Sequence, residues 1–168
     1  MERIVGLALS IVVVVSLAYN GNIGNSSIYV AQQATSGEAI VEKLFAAWNS
    51  HDADKVAATF SEDAVVEDVA AGHTSRGRAE MRKRAAGAFD AIENIKIEVV
   101  SSSFHNGRGV VEWVFSGTDK GLWKTGKKFS VRGVSVLEVR RGKISRYKEY
   151  YDGATVMRQV GRLPAEKE

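Results

Sequence analysis

From residue 95 onward the chain reads as one strand after another, with nothing helical between them. Residues 95–103, 109–117, 128–140 and 144–152 are rich in β-branched and aromatic side chains. They are separated only by "HNGRG", a loop around "TDKGLWKTG" and the tight turn "RRGK". Connections this short join antiparallel strands, whereas parallel neighbours need a crossover of about a dozen residues. The first half follows the helical period instead. Ile40, Val41, Leu44, Phe45 and Trp48 recur at helical spacing behind "TSGE" at 35–38, which has the form of a capping box. Asp52 can cap a second short helix with Ala53, Val56, Ala57 and Phe60 on one face. "AVVEDV" reads as a short strand and "AAGHTSRG" as a loop. Residues 78–92 read as a third helix, with Met81, Ala85, Phe89 and Ile92 on one face and Arg and Lys on the other. "GATVMRQVG" makes a last short helix. Helices first and strands afterwards predict an α+β fold, an antiparallel sheet covered on one side by helices. A sheet that curls around helices can leave a cavity.

The chain has 168 residues, 45% of them hydrophobic, enough for one domain with a real core. Its 23 basic and 20 acidic residues are mixed along the sequence, so nucleic acid is not an expected partner. The absence of cysteine excludes disulfides, thiolate metal sites and a cysteine nucleophile. His51, His73 and His105 show no metal-ligand spacing, so no metal site is expected. Residues 1–18 pair Arg3 with an uncharged, largely apolar run from Ile4 to Val15 and end on Ser16 and Ala18. They read as a secretory signal peptide, with an uncleaved N-terminal anchor as the alternative. Either places the domain outside the cytosol, secreted or periplasmic, with no other contact to a membrane. Residues 19–34, rich in Asn, Ser and Gly, read as a linker, and 35–168 as the domain.

Side chains alternate across a strand, so each strand sorts into two faces. On 144–152, Arg146, Lys148 and Tyr150 suit water. Ser145, Tyr147, Glu149 and Tyr151 place a carboxylate between tyrosines and suit a pocket wall, with a cross-strand ion pair as the plainer role for Glu149. On 129–139, Arg132, Val134, Val136 and Glu138 oppose Val131, Gly133, Ser135, Leu137 and Val139, and the uncharged set leaves room and supplies a hydroxyl. Residues 110–115 are apolar on both faces apart from Glu112. That pattern predicts a strand buried on two sides, with Glu112 in an ion pair such as one to Arg132. Glu67 and Asp68 sit side by side at the end of "AVVED", as a solvated strand end or with one carboxylate turned into a pocket. His73 is expected in solvent, and Trp48, Trp113, Phe60 and Phe89 in the core or around a cavity.

Several strings, in order over residues 38–161, resemble a known family: "EKLFAAWNSHDADKVAATFSEDAVVED", "SRGRAEMRK", "TGKKFSVRGVSVLEVRRGKISRYKEYYD" and "VMRQVG". They look like the SnoaL-like polyketide cyclases and ketosteroid isomerase-like members of the nuclear transport factor 2-like superfamily. The resemblance implies a cone-shaped barrel, a curved, mainly antiparallel sheet packed on three N-terminal helices around an apolar cavity. It also implies a homodimer formed through the sheet's outer face, where Arg132, Val134, Val136 and Tyr150 lie. Asp68 matches the base of the ketosteroid isomerases, while Leu44 and Ser135 stand where those enzymes have a tyrosine and a second acid. "YKEYYD" is similar to the strand that carries an acid in limonene epoxide hydrolases, which places that acid at Glu149. In "GTDKG", Asp119 replaces a histidine common in SnoaL-like loops. The implied chemistry is cofactor-free acid–base catalysis on a small apolar carbonyl compound, an aldol-type cyclisation or an isomerisation. Asp68 is then the base, Glu149 or Ser135 the donor, and Leu44, Trp48, Trp113, Tyr147 and Tyr151 line the substrate site. A non-catalytic ligand-binding or accessory domain of the same fold is the alternative, favoured by Leu44 and Ser135.

Overall fold

The computed structural model describes residues 26–164. Helix α1 (Ser26–Asn49) and the short α2 (Ala53–Ala58) lead into β1 (Phe60–Asp68), β2 (His73–Arg76) and α3 (Gly77–Ala91). Then follow β3 (Ile92–His105), β4 (Arg108–Asp119), β5 (Lys128–Arg140), β6 (Lys143–Tyr151) and α4 (Gly153–Gln159). The six strands form a sheet in the order β2-β1-β6-β5-β4-β3. Only β1 and β6 are parallel; every other neighbouring pair is antiparallel. Two hairpins turn on Asn106-Gly107 (φ 48° and 74°) and Arg141-Gly142 (φ 51° and 69°). Both residues of each pair are left-handed, the type I′ geometry whose twist matches that of the flanking strands.

The helices lie over one face of the sheet. Ile40, Val41, Leu44 and Phe45 of α1, Val56 of α2 and Met81 and Ala85 of α3 pack against Val66, Val111, Trp113, Leu137 and Tyr147. Leu44 and Phe60 are each only 1% exposed, and burial of side chains this size stabilises by roughly 1.5–3 kcal/mol apiece. A second cluster joins Val156 and Val160 at the C-terminal end to Ile92, Ile95, Phe129 and Val131. Asp52 and Asp152 cap α2 and α4, accepting from the amides of Lys55 and Thr155.

The α+β class, the helix-covered face and the mainly antiparallel curved sheet agree with the sequence reading. The differences have local causes. The sheet is curved but open, with β2 and β3 as edges, so the barrel does not close. α1 begins at Ser26, upstream of the expected cap at Thr35, and takes in residues 26–34 of the segment read as a linker. That stretch contains no proline or glycine to stop a helix. Residues 1–18, with the signal or anchor assigned to them, and 19–25 lie outside the described residues. Among the described residues, no helix is long and apolar enough to cross a membrane. Phe60 opens β1 instead of closing α2. His73–Arg76, read as loop, forms an edge strand on β1, and its polar side chains, all exposed except Ser75, gave no strand signal. The strand at 110–115 is not buried on two sides: Val110 is 46% exposed, because helices cover only the other face.

Candidate active site

β1 turns Ala64, Val66 and Asp68 inward and Glu67 outward. Glu67 pairs at 3.0 Å with Lys148, its neighbour in register on β6. The same parallel register sets Asp68 beside Glu149, so two carboxylates project from adjacent strands onto the inner face. Side by side and partly desolvated, they need a cation or a proton between them. Arg84 of α3 supplies the cation. Its Nη2 donates to Asp68 Oδ2 at 2.9 Å and also to Glu149 Oε1. Asp68 is otherwise engaged by the Ala71 amide on Oδ1 (2.9 Å) and by the Tyr151 hydroxyl on Oδ2 (3.3 Å). Among the described residues, Glu149 has one oxygen without a hydrogen-bond partner.

These groups form the polar part of the wall of a cavity of about 500 Å³. His73, Tyr147 and Tyr151 add to it, and the remainder is largely apolar, with Phe45, Trp48, Phe60, Met81, Trp113 and Trp123 prominent. Burial pushes Glu149 up to about 7, with the Arg84 cation pulling against it and the Asp68 anion adding to the rise. Burial likewise raises Tyr151 to about 12, and the two carboxylates add to the effect. A carboxyl poised near neutrality in an apolar cavity can both take and return a proton.

Behind the cavity wall lies a buried polar chain. Trp113 Nε1 donates to Ser135 Oγ (2.7 Å), and Ser135 Oγ donates to the Tyr147 hydroxyl (2.6 Å). Gly133, opposite Trp113 in register, makes this possible. A Cβ there would stand 2.1 Å from the indole, so only glycine lets the ring lie across β5. At the other end of β4, Asp119 holds the following loop by accepting from the amides of Trp123 (3.0 Å) and Thr125 (2.8 Å). This seats Trp123 in the cavity wall.

The structure thus brings Asp68, Glu149, Trp48, Trp113, Tyr147 and Tyr151 to one cavity. Ser135 is fully buried behind Trp113 and Tyr147, reaching the cavity only through the phenol, and Leu44 lies in the packed core. Glu112 faces outward, 3.9 Å from Arg132, the ion pair expected for it. His73 is exposed and stands at the cavity wall. Arg84 was missed, having been placed with the solvated face of its helix. The signal was present: positions 81, 84, 85 and 88 follow the i, i+3, i+4, i+7 rule, which puts Arg84 on the apolar stripe. Among the described residues, no group of His, Asp or Glu could hold a metal ion.

Residues 41–147 match the family model of the SnoaL-like domain. Among solved structures, a protein of ketosteroid isomerase-like fold from Catenulispora acidiphila, in complex with trimethylamine, is 27% identical with a TM-score of 0.69. The match covers 77% of this chain and 96% of that one. An LEH-like epoxide hydrolase from M. tuberculosis (18% identity, TM-score 0.66, 77% and 92% covered) shares the fold. So does an NTF2-like protein from Burkholderia thailandensis (21% identity, TM-score 0.65, 73% and 95% covered). No curated protein sequence matches the chain.

Proposed function

The chain belongs to the SnoaL-like domain family, and from that premise we propose that its cavity carries out proton-transfer chemistry on a small, largely apolar carbonyl compound. The reading rests on one observation: Arg84 bridges two in-register carboxylates inside an apolar cavity. Glu149 is the proton-exchanging group. It keeps an unengaged oxygen, and its raised pKa puts the charged and neutral forms in balance near pH 7. Asp68, with both oxygens engaged, holds Arg84 in place and raises the basicity of Glu149. The expectation from sequence put the base at Asp68, and the hydrogen-bond pattern favours its partner.

In the proposed step the Glu149 carboxylate removes a proton α to the carbonyl. The C–H bond breaks, a carboxyl O–H forms, and the electron pair moves onto the carbonyl oxygen as an enolate. Return of that proton to another carbon gives an isomer. Attack of the enolate carbon on a second carbonyl gives a new ring, and the alkoxide then takes the proton from Glu149. Neither route consumes an oxidant or a cofactor. The test is α-proton exchange of small apolar ketones in deuterated water, followed by NMR. Wild-type protein should catalyse it and Glu149→Gln should not; equal rates for the two would refute the reading.

A binding domain without catalysis is the second reading. The occupied Arg84 bridge favours it, since an ion pair of this kind can also be purely structural. Retention of a small molecule through purification, with no turnover of any compound of its class, would decide for it. As in the sequence expectation, export from the cytosol and dimerisation through the outer face remain proposals. Val110, Val136 and Tyr150 are more than 40% exposed on that face.

A further inference from the structure

Two residues of the cavity wall, Tyr147 and Arg84, carry a hydrogen-bond donor that meets no acceptor among the described residues, and the direction of the first is set by a residue outside the cavity. An indole nitrogen can only donate. Trp113 therefore uses one lone pair of Ser135 Oγ, at 2.7 Å. Ser135 is 0% exposed, and among the described residues its only other side-chain partner is the Tyr147 oxygen at 2.6 Å. If Tyr147 donated to Ser135, the serine hydrogen would be buried without an acceptor, a costly arrangement. With Ser135 donating, the indole and the serine are both satisfied, and the hydrogen left over is that of the Tyr147 phenol, which, unlike Ser135, belongs to a cavity-lining side chain. Among the described residues no acceptor meets it, and Tyr147 lines the cavity. The second idle donor is Arg84 Nη1, buried with no hydrogen-bond partner among the described residues. An apolar cavity with an idle phenol in its wall is suited to an oxygen that accepts.

Building on the proton-transfer reading, we propose that Tyr147 is the hydrogen-bond donor to the substrate's carbonyl oxygen, with Trp113 and Ser135 as positioning residues that aim its O–H into the cavity. As the α-proton leaves for Glu149, negative charge develops on the oxygen held by the phenol. A donor fixed in advance stabilises that charge without reorganisation. The phenol remains protonated while it does so, because burial and then the neighbouring Glu149 carboxylate push its pKa well above the ordinary tyrosine range. The ligand class is accordingly narrow: an apolar body with one carbonyl oxygen that can meet Tyr147 and an acidic C–H that can meet Glu149.

The experiment compares two probes of one shape, acetylnaphthalene and isopropenylnaphthalene, which differ in having a carbonyl oxygen or a methylene carbon. With wild-type protein the ketone should bind about tenfold more tightly than the hydrocarbon. Its bound carbonyl stretch should fall to lower frequency, as it does on hydrogen bonding. Tyr147→Phe should abolish both effects while leaving the hydrocarbon's affinity unchanged. Ser135→Ala keeps the phenol and removes the hydroxyl that donates to it, together with the acceptor of Trp113 Nε1, so the frequency shift should shrink, and this variant carries the test if Tyr147→Phe does not fold. A bound ketone with an unshifted stretch would overturn the proposal. So would a shift that survives Tyr147→Phe, which would assign the oxygen to Arg84. Either result alongside intact, Glu149-dependent α-proton exchange would remove the role of Tyr147 and leave the proton-transfer reading standing.

Discussion

Replacing Arg84 with methionine tests the electrostatic logic of the site, because it removes the cation and keeps the apolar stem. In the native protein the guanidinium is mostly buried and touches both Asp68 and Glu149. Removing one member of a buried, charged cluster costs on the order of 3–5 kcal/mol when the remaining charges persist. Here one of them can be discharged. Glu149 sits at about 7 with Arg84 present, and losing the cation drives it higher still. At pH 6 the native Glu149 is already mostly protonated, so the substitution deprives it of little. At pH 8 the native group is mostly ionised, whereas the variant must keep its proton or hold two bare carboxylates together.

The sign follows from proton uptake. Unfolded, Glu149 has its ordinary pKa of 4.5 and binds almost no proton between pH 6 and 8. The folded variant binds a full proton throughout, and the folded wild type binds progressively less. Stability of the variant therefore falls more steeply with rising pH. Integrated over that window, the difference amounts to about one proton held across one pH unit, or about 1.4 kcal/mol. Urea unfolding at pH 6 and pH 8, followed by tryptophan fluorescence, measures it. The variant should be several kcal/mol less stable at pH 8, and the deficit should narrow by about 1.4 kcal/mol at pH 6. A deficit that is the same at both pH values would refute the coupling between Arg84 and Glu149.

Other outcomes follow from the same geometry. On a substrate found by α-proton exchange, Glu149→Gln should lower turnover by about 10²–10⁴-fold. Asp68→Asn should cost less and lower the apparent pKa of the wild-type kcat/KM profile, which should rise through about pH 7. An Asp68→Asn loss exceeding that of Glu149→Gln would return the base to Asp68. Gly133→Ala should destabilise by about 1–3 kcal/mol by driving a Cβ into the Trp113 indole. It should also shift tryptophan emission as the bond to Ser135 loosens; unchanged emission would mean that Trp113 is not held there. Sedimentation at micromolar concentration should show a dimer, and Val136→Glu on the outer face should dissociate it.

What could be read from the sequence was what alternation and spacing encode. The two-residue period separated Tyr147, Glu149 and Tyr151 from Arg146, Lys148 and Tyr150, and it put Gly133 and Ser135 on the inner face. It could not show which strands are neighbours. The meeting of Asp68 with Glu149 depends on β1 lying parallel to β6, a pairing across nearly half the chain that no local pattern specifies. Arg84 was hidden by its type: a charged residue on a helix reads as solvated, and only its place at i+3 from Met81 indicated otherwise. Ser135 was assigned to the substrate because its strand face was right. The structure interposes Trp113 and Tyr147, whose side-chain directions a strand pattern does not fix. β2 escaped notice because a short polar edge strand is held by backbone bonds to β1 and buries little besides Ser75.

The account depends most on Glu149 being a carboxyl that exchanges its proton near neutrality inside the cavity. Carbon-13 NMR of the side-chain carboxyls, with Glu149 assigned through the Glu149→Gln variant, reads this without a substrate. The prediction is a titration midpoint of about 7, moving when Asp68 is replaced by asparagine. A midpoint near the ordinary 4.5, unaffected by Asp68, would show the carboxyl to be a solvated surface group and would contradict the proposed chemistry.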